Sequence, residues 1–275
     1  MTSTSPIGIF DSGIGGLTVL KAVRSLLPYE NIIYFSDTIH LPYGDKPMEE
    51  ILAYSKGITQ FLLDNKCKII VVACNTASAA ALKQLRESYP DVMFVGMEPA
   101  VKPAAEQTRT GTVGVLATSA TFQGELYNSV VERFAKDVEV IRQPCPGLVQ
   151  QIEAGKLNTH DTEGMLRAWI EPMLKKNIDT LVLGCTHYPF VKSLIEKISG
   201  PGVRVIDPAP AVAKQVAKIL EEKRLKHDGT KQGEISYYTS GDSNALREMM
   251  GMLEMKPGKV EKTEWSKEGA INVIM

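Results

Sequence analysis

IGIFDS at residues 7–12 returns as VGVLAT at 113–118, with Gly8 over Gly114, Asp11 over Ala117 and Ser12 over Thr118. Two further matches follow in the same order and at similar spacing. VVACNT at 71–76 lies over LVLGCTH at 181–187, and VGMEPA at 95–100 lies over VIDPAP at 205–210. In each pair an apolar run of strand length stops at a polar turn, and the ordered repetition points to a duplicated half. The plainer reading, that any two α/β halves share strand, turn and helix punctuation, remains open at this point.

Around these runs the chain alternates short apolar segments with amphipathic ones, which argues for helices packed on mostly parallel sheets. Strands are expected near 7–10, 31–36, 69–73, 92–96, 113–116, 138–141, 179–183, 203–206 and 235–239. The spacing predicts a helix over 47–63, with Met48, Ile51, Leu52, Ile58, Phe61 and Leu62 as its core stripe, and another after Asp242. The expected fold is α/β: two pseudo-twofold-related domains, each a mostly parallel sheet flanked by helices, with the active site in the cleft between them. The first domain would be discontinuous, 1–97 plus 208–275, and the second would span 98–207.

Composition narrows the function. With 275 residues the chain is long enough for two domains with real cores, and a net charge of −1 gives no general attraction to nucleic acid or anionic lipid. The start MTSTSPIGIFDSG has no basic, apolar leader pattern, and no run approaches a membrane span. A cytoplasmic protein with no nucleic-acid or membrane partner is expected.

The four cysteines, Cys67, Cys74, Cys145 and Cys185, form no CxxC pair and no zinc-type cluster with the four histidines, so neither a metal site nor a disulfide framework is expected. Cys74 and Cys185 differ from the other two: each follows a strand in the repeated pattern and precedes a helix start. Active residues of open α/β sheets sit at such strand ends. Unpaired N–H groups at a helix N-terminus also favour a thiolate. Two opposed thiols, one ionised and one protonated, form an acid/base couple. Such a couple can take a proton from one face of a carbon and return one to the other, which inverts a stereocentre.

The blocks DSGIGG (11–16), PYG (42–44), ACNTAS (73–78) and GCTHYP (184–189) closely resemble the signature blocks of the glutamate racemases, within the aspartate/glutamate racemase superfamily, and the resemblance spans nearly the whole chain. It implies cofactor-independent interconversion of L- and D-glutamate, D-glutamate being destined for peptidoglycan, by a homodimeric enzyme. It makes Cys74 the base for D-glutamate and Cys185 the base for L-glutamate. Asp11 would accompany Cys74, while His187 and Glu153 would accompany Cys185. Asp11, Ser12, Tyr43, Gly44, Asn75, Thr76, Thr186 and His187 match substrate-binding positions, with Thr118 and Thr121 as further members of the pocket.

Plainer roles compete at several positions. Asp11 could cap the helix after its strand, His187 could be a satisfied histidine, and Glu153 could be a solvated one. Cys67 and Cys145 read as inert. GIGG at 13–16 departs from a dinucleotide fingerprint because Thr18 stands where the third glycine would be. An aspartate racemase with the same thiols is the alternative within the superfamily. A thiol redox protein and a two-lobed binding module are the rivals outside it.

Overall fold

The computed structural model describes residues 1–98, 100–256 and 258–274. Pro99, part of the VGMEPA match, lies outside the described residues. The chain divides into two compact units, Met1–Met97 with Ala209–Met275, and Glu98–Pro208.

The first unit opens with β1 (Ile7–Asp11), α1 (Leu17–Leu26), β2 (Ile32–Ser36), α2 (Met48–Asp64), β3 (Ile69–Val72), α3 (Asn75–Ser88) and β4 (Phe94–Gly96). The second unit contains α4 (Val101–Gln107), β5 (Thr112–Ala117), α5 (Ser119–Gln123), α6 (Glu125–Phe134), β6 (Glu139–Pro144), α7 (Leu148–Glu153), α8 (His160–Lys175), β7 (Thr180–Gly184), α9 (Lys192–Ser199) and β8 (Arg204–Ile206). The chain then returns to the first unit with α10 (Ala209–Glu222), β9 (Ile235–Thr239), α11 (Ser243–Met252), β10 (Val260–Trp265) and β11 (Ile271–Val273).

In the first unit seven strands run in the order β11-β10-β9-β2-β1-β3-β4, all parallel except the β10–β11 hairpin. In the second unit four parallel strands run β6-β5-β7-β8. The middle of the first sheet, β2-β1-β3-β4, therefore has the order of the whole second sheet. β1 corresponds to β5 and β3 to β7, as the repeated sequence requires. β1, β2, β3 and β7 are buried along their whole length, which is why their sequences are continuous apolar runs rather than alternating ones. In the second unit Val113, Val115 and Val182 of the sheet pack with Tyr127 and Val130 of α6.

Each expected strand is present, but the structure differs from expectation in three places. On α2 the buried stripe runs through Ile51, Ser55, Ile58, Thr59, Phe61 and Leu62, while Met48 and Leu52 are only half-buried at its margin. The stretch after LVLGC is not directly an α-helix: a 3₁₀ turn, Tyr188–Val191, comes first, with Pro189 in its opening positions, and α9 follows. The β10–β11 hairpin was not anticipated, because VEKTEW places charges at Glu261, Lys262 and Glu264 and reads as a solvated segment. No helix among the described residues is long and apolar enough to cross a membrane.

Candidate active site

Parallel strands bring their C-terminal ends to one edge of a sheet, and this is where the sequence-predicted residues collect. In the first unit β1 and β3 pair with Phe10 opposite Val72, and the Ala73 N–H donates to the Phe10 carbonyl at 2.8 Å. Two residues on from that pair, Ser12 and Cys74 meet, with Oγ and Sγ 3.7 Å apart. Cys74 is the N-cap of α3. Its extended backbone turns the side chain back, so that Sγ accepts from the Ala77 N–H at 3.4 Å. A thiol so placed faces the positive end of a fourteen-residue helix, which favours its ionised form.

Asp11 is fully buried, and its Oδ2 accepts from the N–H groups of Gly16 at 2.8 Å and Gly13 at 3.3 Å. The carboxylate thus organises the turn that carries Ser12 past Cys74; it bonds N–H groups ahead of α1, whose N-cap is Gly16 with no side-chain cap, so it does not take the capping role read as the plainer alternative. The turn is too tight for a side chain at Gly16, where an added Cβ would fall 2.6 Å from the Asp11 Cβ. Tyr43 is buried and donates its hydroxyl to Asp37 at 2.7 Å. Burial first, then the charge and hydrogen bond of Asp37, then Cys74 and Asp11, hold its pKa well above the usual tyrosine value. Tyr43 therefore remains a neutral donor within electrostatic reach of the thiol, and Gly44 follows it in the same turn.

Asn75 is 3% exposed, and neither its amide nitrogen nor its amide oxygen has a hydrogen-bond partner in the protein. A buried amide with both ends unpaired costs stability unless a water or a ligand satisfies it. Thr76, beside it, is also buried.

In the second unit β5 and β7 pair with Ala117 opposite Gly184, so one residue on, Thr118 stands next to Cys185 in the register that sets Ser12 beside Cys74. Thr118 caps α5, accepting from the Thr121 N–H at 3.3 Å, and the two hydroxyls are 2.9 Å apart. Thr186 and His187 are buried. His187 Nδ1 lies 3.7 Å from Cys185 Sγ, and Nε2 lies 2.6 Å from Oε1 of Glu153, the last residue of α7. Burial opposes a charge on the imidazole, but the Cys185 thiol and the Glu153 carboxylate on its two sides outweigh it and raise the His187 pKa well above the usual value. The row Glu153, His187, Cys185 is a carboxyl, an imidazole and a thiol in hydrogen-bonding sequence.

None of the four cysteines is in a disulfide. Cys67 lies at the start of β3, where burial pushes its pKa up to about 12. Cys145 is also raised by burial, yet it is less remote than its loop position implied: the Tyr188 hydroxyl and Cys185 both act on it electrostatically. Among the described residues no group of three or more His, Cys, Asp or Glu is disposed to hold a metal ion.

One residue of the site escaped the sequence reading. Asp37, fully buried just after β2, holds Tyr43, and its backbone N–H donates to the Asp11 carbonyl at 2.9 Å. An acid immediately beyond an apolar strand, five residues before PYG, was the available signal.

A family model described as Asp/Glu/Hydantoin racemase matches residues 19–216. Among curated relatives, the glutamate racemase of Herpetosiphon aurantiacus is 49% identical over 251 residues, which cover 91% of this chain and 98% of that protein. Among solved structures, glutamate racemase from Francisella tularensis in complex with D-glutamate superposes with a TM-score of 0.84 at 33% identity, covering 94% of this chain and 97% of that one. Aspartate racemase of Picrophilus torridus reaches a TM-score of 0.54 at 19% identity over 80% of this chain and 97% of that one, a likeness of fold alone.

Proposed function

Because the chain belongs to the Asp/Glu/Hydantoin racemase family, we propose that it is a glutamate racemase working by two thiols, with Cys74 and Cys185 serving opposite faces of one Cα. The observation that carries this reading is the matched pair of strand-end turns. In each a cysteine follows the third strand of the same four-strand order and stands in register beside a hydroxyl residue, Ser12 or Thr118. The aspartate alternative has only a likeness of fold behind it.

Starting from L-glutamate, Cys185 is the base. The imidazolium of His187, itself held by Glu153, stabilises the Cys185 thiolate, which takes the Cα proton. Cys74 delivers its thiol proton to the other face, leaving Cys185 protonated and Cys74 ionised against the Ala77 N–H. Starting from D-glutamate, the roles reverse. No atom beyond the transferred protons changes hands. The Cα–H is weakly acidic, so proton delivery must keep pace with proton removal and oriented donors must hold the developing charge. Asn75, Thr76, Thr186, Ser12, Thr118 and Thr121 supply such donors for the substrate's carboxylates, and the Tyr43–Gly44 turn and Asp11 complete the first half-site.

The units at 1–97 with 209–275 and at 98–208 act as the two domains of this enzyme, which we place in the cytoplasm as a homodimer supplying D-glutamate for peptidoglycan. Incubation of either glutamate enantiomer with the enzyme in deuterated water is expected to place deuterium at Cα as the other enantiomer forms. A variant with both cysteines replaced by serine that still racemised at the wild-type rate would overturn the mechanism.

A further inference from the structure

The Asp37 carboxylate is completely buried, and both of its oxygens are saturated by four donors from three separate stretches of chain. Oδ2 accepts from the Tyr43 hydroxyl at 2.7 Å and from His40 Nδ1 at 2.8 Å. Oδ1 accepts from the Ser240 hydroxyl at 2.9 Å and from the Trp265 indole N–H at 2.9 Å. A carboxylate has about four lone-pair directions, so the set is complete and loss of any donor leaves part of a buried charge unsatisfied.

The Trp265 donor comes from β10, in the C-terminal hairpin, and the protein gives up helix propensity to seat it. Gly57 interrupts the middle of α2, where glycine is disfavoured. A Cβ there would fall 2.5 Å from the Trp265 ring and 2.7 Å from the Gly269 carbonyl in the β10–β11 turn. Next to that notch His40 stacks on Tyr54 with ring centroids 3.8 Å apart, and Trp265 meets both rings edge-on at 5.1 and 5.8 Å. The notch, the aromatic cluster and the indole hydrogen bond aim one ring of the C-terminal hairpin at the carboxylate that holds Tyr43.

We propose that Asp37 is a positioning residue for the Tyr43–Gly44 turn, and that the C-terminal hairpin completes it through Trp265. Together they fix that turn beside Cys74 and so set glutamate affinity at the first half-site. The inference rests on the racemase reading and deepens it. Asp37 touches neither thiol; it acts through Tyr43, whose phenol it locks, and through its backbone bond to Asp11.

Three substitutions approach the hub from different sides. Trp265→Phe keeps an aromatic ring in the notch and removes only the N–H; Gly57→Ala pushes the ring out and leaves Asp37 untouched; Asp37→Asn brings donors against donors. For Trp265→Phe and Gly57→Ala, KM for both glutamate enantiomers is expected to rise three- to tenfold while kcat stays within a factor of two and the fold persists by circular dichroism. Asp37→Asn should raise KM further.

A readout independent of activity is the indole N–H resonance. The chain has two tryptophans, so Trp265→Phe assigns the Trp265 signal by its disappearance, and Asp37→Asn should move that signal upfield. If all folded variants keep the wild-type KM, or if kcat falls while KM is constant, the positioning role is wrong. If the wild-type protein fails to racemise glutamate, the racemase reading itself falls, and the indole shift still reports whether the Trp265–Asp37 bond exists.

Discussion

The two half-sites share a backbone plan and differ in what surrounds the sulfur. Around Cys74 the dressing is local: a helix N–H, a serine hydroxyl, and a carboxylate, Asp11, that binds the turn's own N–H groups. Around Cys185 it is ionic and non-local, because the imidazole beside the sulfur is held by Glu153, which arrives from a different helix. A duplicated scaffold thus supplies the position of each thiol, and unlike neighbours supply its surroundings. One half sets its thiol at a helix terminus, and the other sets it beside a buried histidine whose pKa is raised.

The comparison breaks most completely at the sulfurs. Cys74→Ser and Cys185→Ser should each reduce turnover by roughly a thousandfold or more, because a hydroxyl of far higher pKa replaces the base in one direction and the acid in the other. The two losses should be of similar size when racemisation is followed by polarimetry. Enantiomers have equal free energies, so kcat/KM must fall by the same factor from L- and from D-glutamate in each variant.

The ionic half is sharpened by Glu153→Gln. Removing the carboxylate lowers the His187 pKa, so the alkaline limb of the pH–rate profile that depends on the imidazolium should move toward neutral pH, with activity falling about ten- to a hundredfold. Stability follows from the direction of the shift. The folded pKa lies above the unfolded value of 6.5, so the imidazolium's contribution is fully present below that value and is lost as pH rises through the folded pKa. Thermal melts should therefore show the variant less stable than the wild type by about 1.5–3 kcal/mol near pH ~6, and the gap should narrow at alkaline pH. No such pH-dependent gap is expected for substitutions around Cys74 that leave His187 intact.

The Cys74 half offers a different signature at Asn75. Replacing its unpaired, buried amide with leucine should leave the unliganded melting temperature unchanged or raise it, by up to about 1–3 kcal/mol, since an unsatisfied polar group is removed. Glutamate affinity should fall about tenfold, and the thermal stabilisation conferred by added glutamate should shrink with it. A residue kept for packing alone would show the opposite sign in the unliganded melt.

Much of this was legible in the chain because the relevant signals are local. A strand followed by a cysteine and a helix start is a contiguous pattern, and its recurrence named both thiols and the correspondence of β1 with β5 and of β3 with β7. The Glu153–His187 bond was accessible only through resemblance, since 34 residues separate the partners. The Asp37 hub was illegible: Ser240 and Trp265 stand 203 and 228 positions away, on β9's end and in a hairpin whose charged pattern hides it. Asn75 was read as a ligand contact, but its unpaired amide emerges only once burial is known.

The smallest expected effect belongs to Cys67, and it calibrates the others. It is fully buried at the start of β3, against β1, where an added Cβ on Gly8 would fall 3.0 Å from its sulfur. Burial alone pushes its pKa up to about 12. Cys67→Ala removes one sulfur from a packed interior and should cost about 1 kcal/mol in a denaturant melt, with kcat and KM within a factor of two of wild type. Under native conditions, alkylation by iodoacetamide should inactivate the wild type and Cys67→Ala at the same rate. An altered inactivation rate in Cys67→Ala would mean that thiol reactivity in this protein is not governed by the two strand-end settings, and the contrast between them would lose its chemical meaning.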